Sequence, residues 1–301
     1  MHTDSMNKPK KEEEEDISED ELIEDLSKPG LTIVCAQKYS GKSVLMKHLM
    51  EKLIENGTFD WGYIISQTTE VNGEWNIIPP EYIKNQWNPE DINKIYDYQK
   101  QQMKNGTPKN CFILMDDVIG LVDLKDKVIQ MLVTNGRHLN IWLFIVVQKL
   151  TDVVPPVVRQ NAEFFIFFQN DCKEVLEAVH QQYMSTQMPK PNWYQFCRDT
   201  LVDFTAIIIN TRRQGLDKIR EIQAPPPDPD DEGFFFDFTS DGPTEEAIDP
   251  LDENPEPREV NNKKKKLNVK QTKKKQLEDE ELDLDEYEEP PKKPKKKTSK
   301  K

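Results

Sequence analysis

The stretch Leu31-Thr-Ile-Val-Cys-Ala36-Gln-Lys-Tyr-Ser-Gly41-Lys42-Ser43 leaves its backbone little choice. A short apolar run predicts a buried strand. A small-residue turn follows, then a helical stretch from Lys42 to about Leu53. The turn has the spacing G-x-x-x-x-G-K-[S/T], with Ala36 in place of the first glycine. In such a turn the backbone N–H groups of Ala36, Gln37, Lys38, Tyr39, Ser40, Gly41, Lys42 and Ser43 converge on phosphate, helped by the N-terminus of the helix. Gly41 lets the chain approach without a Cβ. Lys42 is then expected on the β- and γ-phosphates of a nucleotide and the Ser43 hydroxyl on Mg²⁺, which predicts ATP and Mg²⁺ as cofactors.

The rest of the chain suits that start. Apolar runs at Trp61–Ser66, Cys111–Met115, Ile141–Val147, Glu163–Phe168 and Phe204–Asn210 read as strands. Helical stretches at Asp91–Met103, Lys125–Thr134 and Asp171–Met184 are interleaved with them. Continuous apolar strands alternating with helices predict an α/β fold, a P-loop NTPase with a mostly parallel central sheet covered by helices on both faces. Charge sets the expected boundaries. Residues 1–30 carry a net charge of −7 and residues 224–301 a net of −6, which leaves −1 of the total −14 for residues 31–223. Segments so charged bury too little apolar area to offset their ordering entropy. Residues 1–29 and 224–301 are therefore expected to be disordered, and 30–223 to be the ATPase domain. The aromatic patch Phe234–Phe238 is an exception within the tail, suited to docking on the chain's own surface or on a partner's.

Three further features carry chemistry. Cys111-Phe-Ile-Leu-Met-Asp116-Asp117 puts two carboxylates at the end of an apolar strand, the edge where ligands bind in open α/β sheets. Asp116 is the expected metal-shell ligand and Asp117 the base that polarises the attacking water. Gln148 directly follows the seven apolar residues 141–147 and is suited to sense the γ-phosphate. Arg137, in Asn135-Gly-Arg-His138, and Arg159 are both candidates for an arginine finger reaching a neighbouring subunit. His48, His138 and His180 read as ordinary helix or turn residues.

Composition narrows the class further. Cys35, Cys111, Cys172 and Cys197 form no C-x-x-C pair, so buried reduced thiols are expected rather than zinc or disulfides. The acidic N-terminus has no apolar signal region, and Ile141–Val147 is too short to cross a bilayer, so no membrane span and no secretion are expected.

Taken together, Gly41-Lys42-Ser43, Leu114-Met-Asp116-Asp117, Asn135-Gly-Arg-His-Leu-Asn-Ile141, the strand ending in Gln148 and Pro155-Pro-Val-Val-Arg159-Gln-Asn161 resemble one family. It is the poxvirus-type genome-packaging ATPase of large double-stranded DNA viruses and virophages, a branch of the FtsK/HerA superfamily. The resemblance spans about residues 31–215. It implies a homo-oligomeric ring that uses ATP to thread double-stranded DNA, without sequence preference, into a capsid. The partners it implies are that DNA and a capsid or portal-vertex protein, and the setting is the virion or the host-cell cytoplasm. It also implies Asp116 for metal, Asp117 as base, Gln148 as sensor and Arg137 as the finger acting in trans.

The near-neutral core is unusual for a duplex binder, although a ring multiplies a few pore lysines. Lys149 and the Arg212–Arg213 pair are the candidates for DNA contact. Two other functions compete. A nucleotide-gated assembly or scaffold protein would tolerate loss of Asp117. A small-molecule P-loop kinase would need an arginine-rich lid, and no such cluster is visible in the sequence.

Overall fold

The computed structural model describes residues 11–69, 75–117, 122–169, 173–226 and 233–238, with side chains from residue 19 onward. Eight strands form one sheet: β1 (Leu31–Cys35), β2 (Trp61–Ser66), β3 (Ile83–Lys84), β4 (Cys111–Asp116), β5 (Ile141–Val147), β6 (Ala162–Phe167), β7 (Thr205–Asn210) and β8 (Ile219–Gln223). Their spatial order is β3-β2-β4-β5-β1-β6-β7-β8. β1 to β6 run parallel, while β7 and β8 are antiparallel at one edge.

The apolar runs explain the order. β5, Ile-Trp-Leu-Phe-Ile-Val-Val, is buried along its whole length, and it lies between β4 and β1. β8 is only half-buried and takes the edge. The helices are α1 (Lys11–Leu26), α2 (Lys42–Glu55), α3 (Pro89–Asn105), α4 (Lys127–Asn135), α5 (Pro156–Gln160), α6 (Lys173–Val179) and α7 (Lys190–Thr200). α2 buries Leu45, Met46, Leu49, Met50 and Leu53, a stripe at helical spacing that packs into the core. α3 starts at Asn88, whose side chain accepts from the Glu90 N–H, and stops at Gly106 in the left-handed region. α6 continues into a π-turn at His180–Met184.

Two boundaries differ from the sequence expectation. The acidic lead does not lie wholly outside the folded unit. α1 occupies much of it, and Leu22, Ile23 and Leu26 are buried against the core. Its acids find partners far along the chain. Arg213 pairs with Glu21 and Asp25, Arg220 with Glu21, and Asn210 donates to Asp25. The Trp142 indole donates to the Leu26 carbonyl at 2.9 Å. The C-terminal boundary shifts as well. Phe238 is 1% exposed and packs its ring on Tyr82 at 4.8 Å, and the Phe236 N–H donates to the Ile77 carbonyl at 2.7 Å. Of the two docking options open for the aromatic patch, this segment takes the chain's own surface.

Cys35, Cys111 and Cys197 are buried free thiols, and Cys172 lies outside the described residues. Burial pushes the Cys197 thiol up to about 12 and Cys111 well above its usual value, so neither is a thiolate near neutral pH. Among the described residues no helix is long and apolar enough to cross a membrane.

Candidate active site

The turn between β1 and α2 opens at the C-terminal edge of the sheet. Ala36 is fully buried, and its N–H donates to the Val147 carbonyl at 3.0 Å, extending the strand pairing by one residue. It has no positive φ, so a small side chain is accommodated where the pattern has glycine. Gly41 differs, with φ of 87°, a conformation costly for any other residue. A Cβ there would also meet Phe204 Cβ at 3.3 Å and Ala224 Cβ at 3.2 Å. Gly41 is the N-cap of α2, with no side chain capping the helix and no acid in its first turn. The first N–H groups of α2 are thus left for an anion.

Beside this helix end lies a cavity of about 380 Å³ lined by Gln37 to Val44, Thr68, Asp117 and Gln148. Lys42 Nζ donates to Asp116 Oδ1 at 3.2 Å. The Asp116 carboxylate is 1% exposed, and its second oxygen accepts from Trp75 Nε1 at 2.8 Å. Gln148 Nε2 donates to Asp117 Oδ1 at 2.9 Å. Asp117 has φ of 50°, tolerated by Asp better than by most residues, which turns its side chain out of the strand direction. Because β5 separates β1 from β4, Gln148 at the end of β5 stands between the phosphate turn and the paired carboxylates.

A second cavity of about 330 Å³ shares Gln37, Lys38, Tyr39 and Ser40 with the first. Its far wall includes Gln169, Asp203 and Phe204. Asp203 and Phe204 have φ of 48° and 63°, and the Phe204 ring is largely exposed, as is Tyr39 on the turn itself.

Of the residues singled out in the sequence, Lys42, Asp116, Asp117 and Gln148 come together here. Arg137 does not. It precedes β5 at the N-terminal edge of the sheet, where Nη1 donates to Glu163 Oε1 at 2.9 Å. Arg159 on α5 likewise precedes its strand, β6, and its carbonyl accepts from the Tyr183 hydroxyl. Neither arginine lines its own chain's cavity at the turn. Arg212 and Arg213, proposed for DNA contact, are committed to the α1 region. Arg212 donates to the Pro29 carbonyl, and Arg213 pairs with Glu21 and Asp25. Sequence reasoning missed Trp75 and Thr68. Thr68 follows strand β2 as Gln148 follows β5, so a polar residue just past an apolar strand was its available signal. Trp75 gave none.

The donors suit a hard cation. Among the described residues no group of three or more His, Cys, Asp or Glu could hold a metal alone. The Ser43 hydroxyl and Asp116 carboxylate would suit Mg²⁺, which usually takes only one or two protein oxygens beside phosphates and waters.

Residues 25–190, more than half of the chain and including Lys42, Asp116, Asp117 and Gln148, match the model of the poxvirus A32 protein family. The chain belongs to that family. It is accordingly a genome-packaging ATPase, as the motifs led us to expect. No curated protein sequence matches the chain. Among solved structures it is similar to the genome packaging NTPase B204 of Sulfolobus turreted icosahedral virus 2 in complex with sulfate, at 16% identity and a TM-score of 0.50, covering 66% of this chain and 98% of that one. That likeness shows the shared fold. B204 of the same virus with AMPPCP also matches, at 15% identity and a TM-score of 0.48, over 66% of this chain and 99% of that one. So does the conjugation coupling protein TcpA of pCW3 with ATPγS, at 15% identity and a TM-score of 0.46, over 74% of this chain and 65% of that one.

Proposed function

We propose that this chain hydrolyses Mg²⁺-bound ATP to drive viral double-stranded DNA into a capsid, as one subunit of a homo-oligomeric ring in the virion or host-cell cytoplasm. The observation that carries the reading is the pairing of two contacts at one cavity, Lys42 to Asp116 at 3.2 Å and Gln148 to Asp117 at 2.9 Å. The uncapped turn and helix end hold the phosphates, and Lys42 moves from Asp116 to the β/γ-oxygens. Ser43 and Asp116 would hold Mg²⁺, which would supply charge compensation for the phosphates. Asp117 accepts the proton of the attacking water, and Gln148, already bound to Asp117, orients that water. The second cavity, with Tyr39 and Phe204 at its rim, takes the sugar and base.

Lys149 is exposed just past Gln148, where a DNA contact would be coupled to the state of the nucleotide. The arginine finger comes from a neighbouring subunit, with Arg137 ahead of Arg159 because its side chain is 48% exposed. Lys42→Ala should lower ATP turnover at least a hundredfold, the scale of losing one preorganised charge partner in the transition state. Linear duplex DNA should raise turnover of the wild type but not of this variant. Wild-type turnover in Lys42→Ala, measured by phosphate release, would remove the site assignment.

A further inference from the structure

Asp116 uses both oxygens in different directions. Oδ1 faces Lys42 and the phosphate turn, while Oδ2 is held by the Trp75 indole N–H at 2.8 Å. The ring of Trp75 is 1% exposed, so water does not compete for this bond. Trp75 itself sits on a short segment, not on a strand or long helix. That segment runs through the buried Ile77 and Ile78 to Tyr82 and to the two-residue strand β3, which pairs only with β2. Two residues of sheet pairing are a weak anchor for a group that fixes a metal ligand.

The missing support comes from the C-terminal tail. The Phe236 N–H bonds the Ile77 carbonyl, two residues after Trp75. Phe238 is buried against Tyr82, and Phe236 lies on Phe238 at 5.1 Å. Tyr82 in turn meets Trp61 of β2 at 6.4 Å. The segment that carries Trp75 is therefore clasped between the sheet and an aromatic strap from the opposite end of the sequence.

We propose that Trp75 is the positioning residue of Asp116, and that the Phe236–Phe238 strap holds Trp75 in place, so that metal binding at the site depends on a piece of the tail. Trp75 touches no reacting atom. By fixing Oδ2 it keeps Oδ1 aimed at the Lys42 side of the cavity, where the shell of the cation forms. Outer-shell partners of a ligating carboxylate typically contribute ten- to a hundredfold in metal affinity. The inference rests on the ATPase reading of this cavity, and its test separates the two.

The test uses the full-length chain with a non-hydrolysable ATP analogue and Mn²⁺ as the probe, with bound Mn²⁺ read by electron paramagnetic resonance. Trp75→Phe keeps the ring and removes the N–H. It should weaken Mn²⁺ binding about tenfold while affinity for the metal-free analogue stays within about twofold. Phe238→Ala, remote from the site, should weaken Mn²⁺ binding in the same direction by a smaller factor. The double variant should match Trp75→Phe alone, since both act through one contact. Unchanged Mn²⁺ affinity in Trp75→Phe, or multiplicative losses in the double variant, overturns the inference and leaves the ATPase reading standing. Should Trp75→Phe fail to fold, unchanged affinity in Phe238→Ala overturns it equally. Mn²⁺ uptake that survives Asp116→Asn overturns the proposed assignment of Asp116 to the metal, and the inference falls with it.

Discussion

At the scale of single residues, the site depends on a division of labour between adjacent carboxylates. Asp116 closes β4 in the extended conformation, is buried and is held on both oxygens, so it is fixed. Asp117 breaks from the strand at φ of 50° and is held by Gln148 at its rim of the cavity, so it can shift toward a water. Asp117→Asn should therefore leave nucleotide binding within a few-fold of wild type and lower turnover by 10² to 10⁴, the usual contribution of a general base. Equilibrium binding of a fluorescent ATP analogue beside a phosphate-release assay checks this, and equal losses in both would assign Asp117 to binding instead. Lys42 was legible in the sequence from the spacing of the turn after β1, and Asp116, Asp117 and Gln148 from their places at or directly after a strand end. Trp75 was not, since it lies outside any strand or helix and its partner Asp116 is 41 residues further along the chain. Ala36 looked like a defect in the motif, and its burial in continuation of β1 explains why it is not one.

At the scale of elements, α1 shows where composition misleads. Its mean character is acidic, yet Leu22, Ile23 and Leu26 fall at i, i+1 and i+4, one narrow apolar stripe. Three buried aliphatics contribute on the order of 1.5–3 kcal/mol each, enough to dock a single helix. Two of its acids, Glu21 and Asp25, pair with Arg213 and Arg220, which no local window could reveal. Leu26, 2% exposed, should on substitution by Ala cost about 2–5 kcal/mol in urea unfolding. A loss under about 0.5 kcal/mol would put α1 outside the cooperative unit.

The ion pairs of α1 add a pH dependence. The Arg213 hydrogen bond lowers the pKa of Glu21. Partial burial pushes Asp25 up, but its bonds to Arg213 and Lys28 outweigh this and leave it lowered. Groups with lowered folded-state pKa stabilise fully above the ordinary carboxylate range, and that contribution disappears as pH falls through the lowered values. Amide exchange in α1 should therefore be the same at pH 6 and 8 and should speed up relative to α3 below about pH 4. The parallel strands β1, β2, β4, β5 and β6 were legible as apolar runs. β8, half-buried at the edge, carries too weak an apolar pattern to be read as a strand.

At the scale of the whole molecule, the sheet has two ends with different jobs. The nucleotide cavity opens at the C-terminal end of the strands. Arg137 stands at the other end with Glu163, whose carboxylate also accepts from the Leu31 N–H at 2.6 Å. An arginine so placed cannot reach its own chain's nucleotide without crossing the sheet, whereas head-to-tail subunits in a closed ring bring unlike surfaces together. Placement on the far end suits a finger acting in trans, and under that proposal assembly would be a condition of turnover. Arg137→Ala leaves the buried Glu163 carboxylate with its bond from the Leu31 N–H but without this cation, so urea unfolding beside the wild type is the control for the test. Mixed into wild-type rings at increasing fraction, the variant should depress DNA-stimulated ATPase activity more steeply than its mole fraction, because each substituted subunit silences the intact site beside it. A strictly proportional decline would reduce Arg137 to a clamp on Glu163. The same mixing series with Arg159→Ala would then identify the finger by which arginine bends the curve.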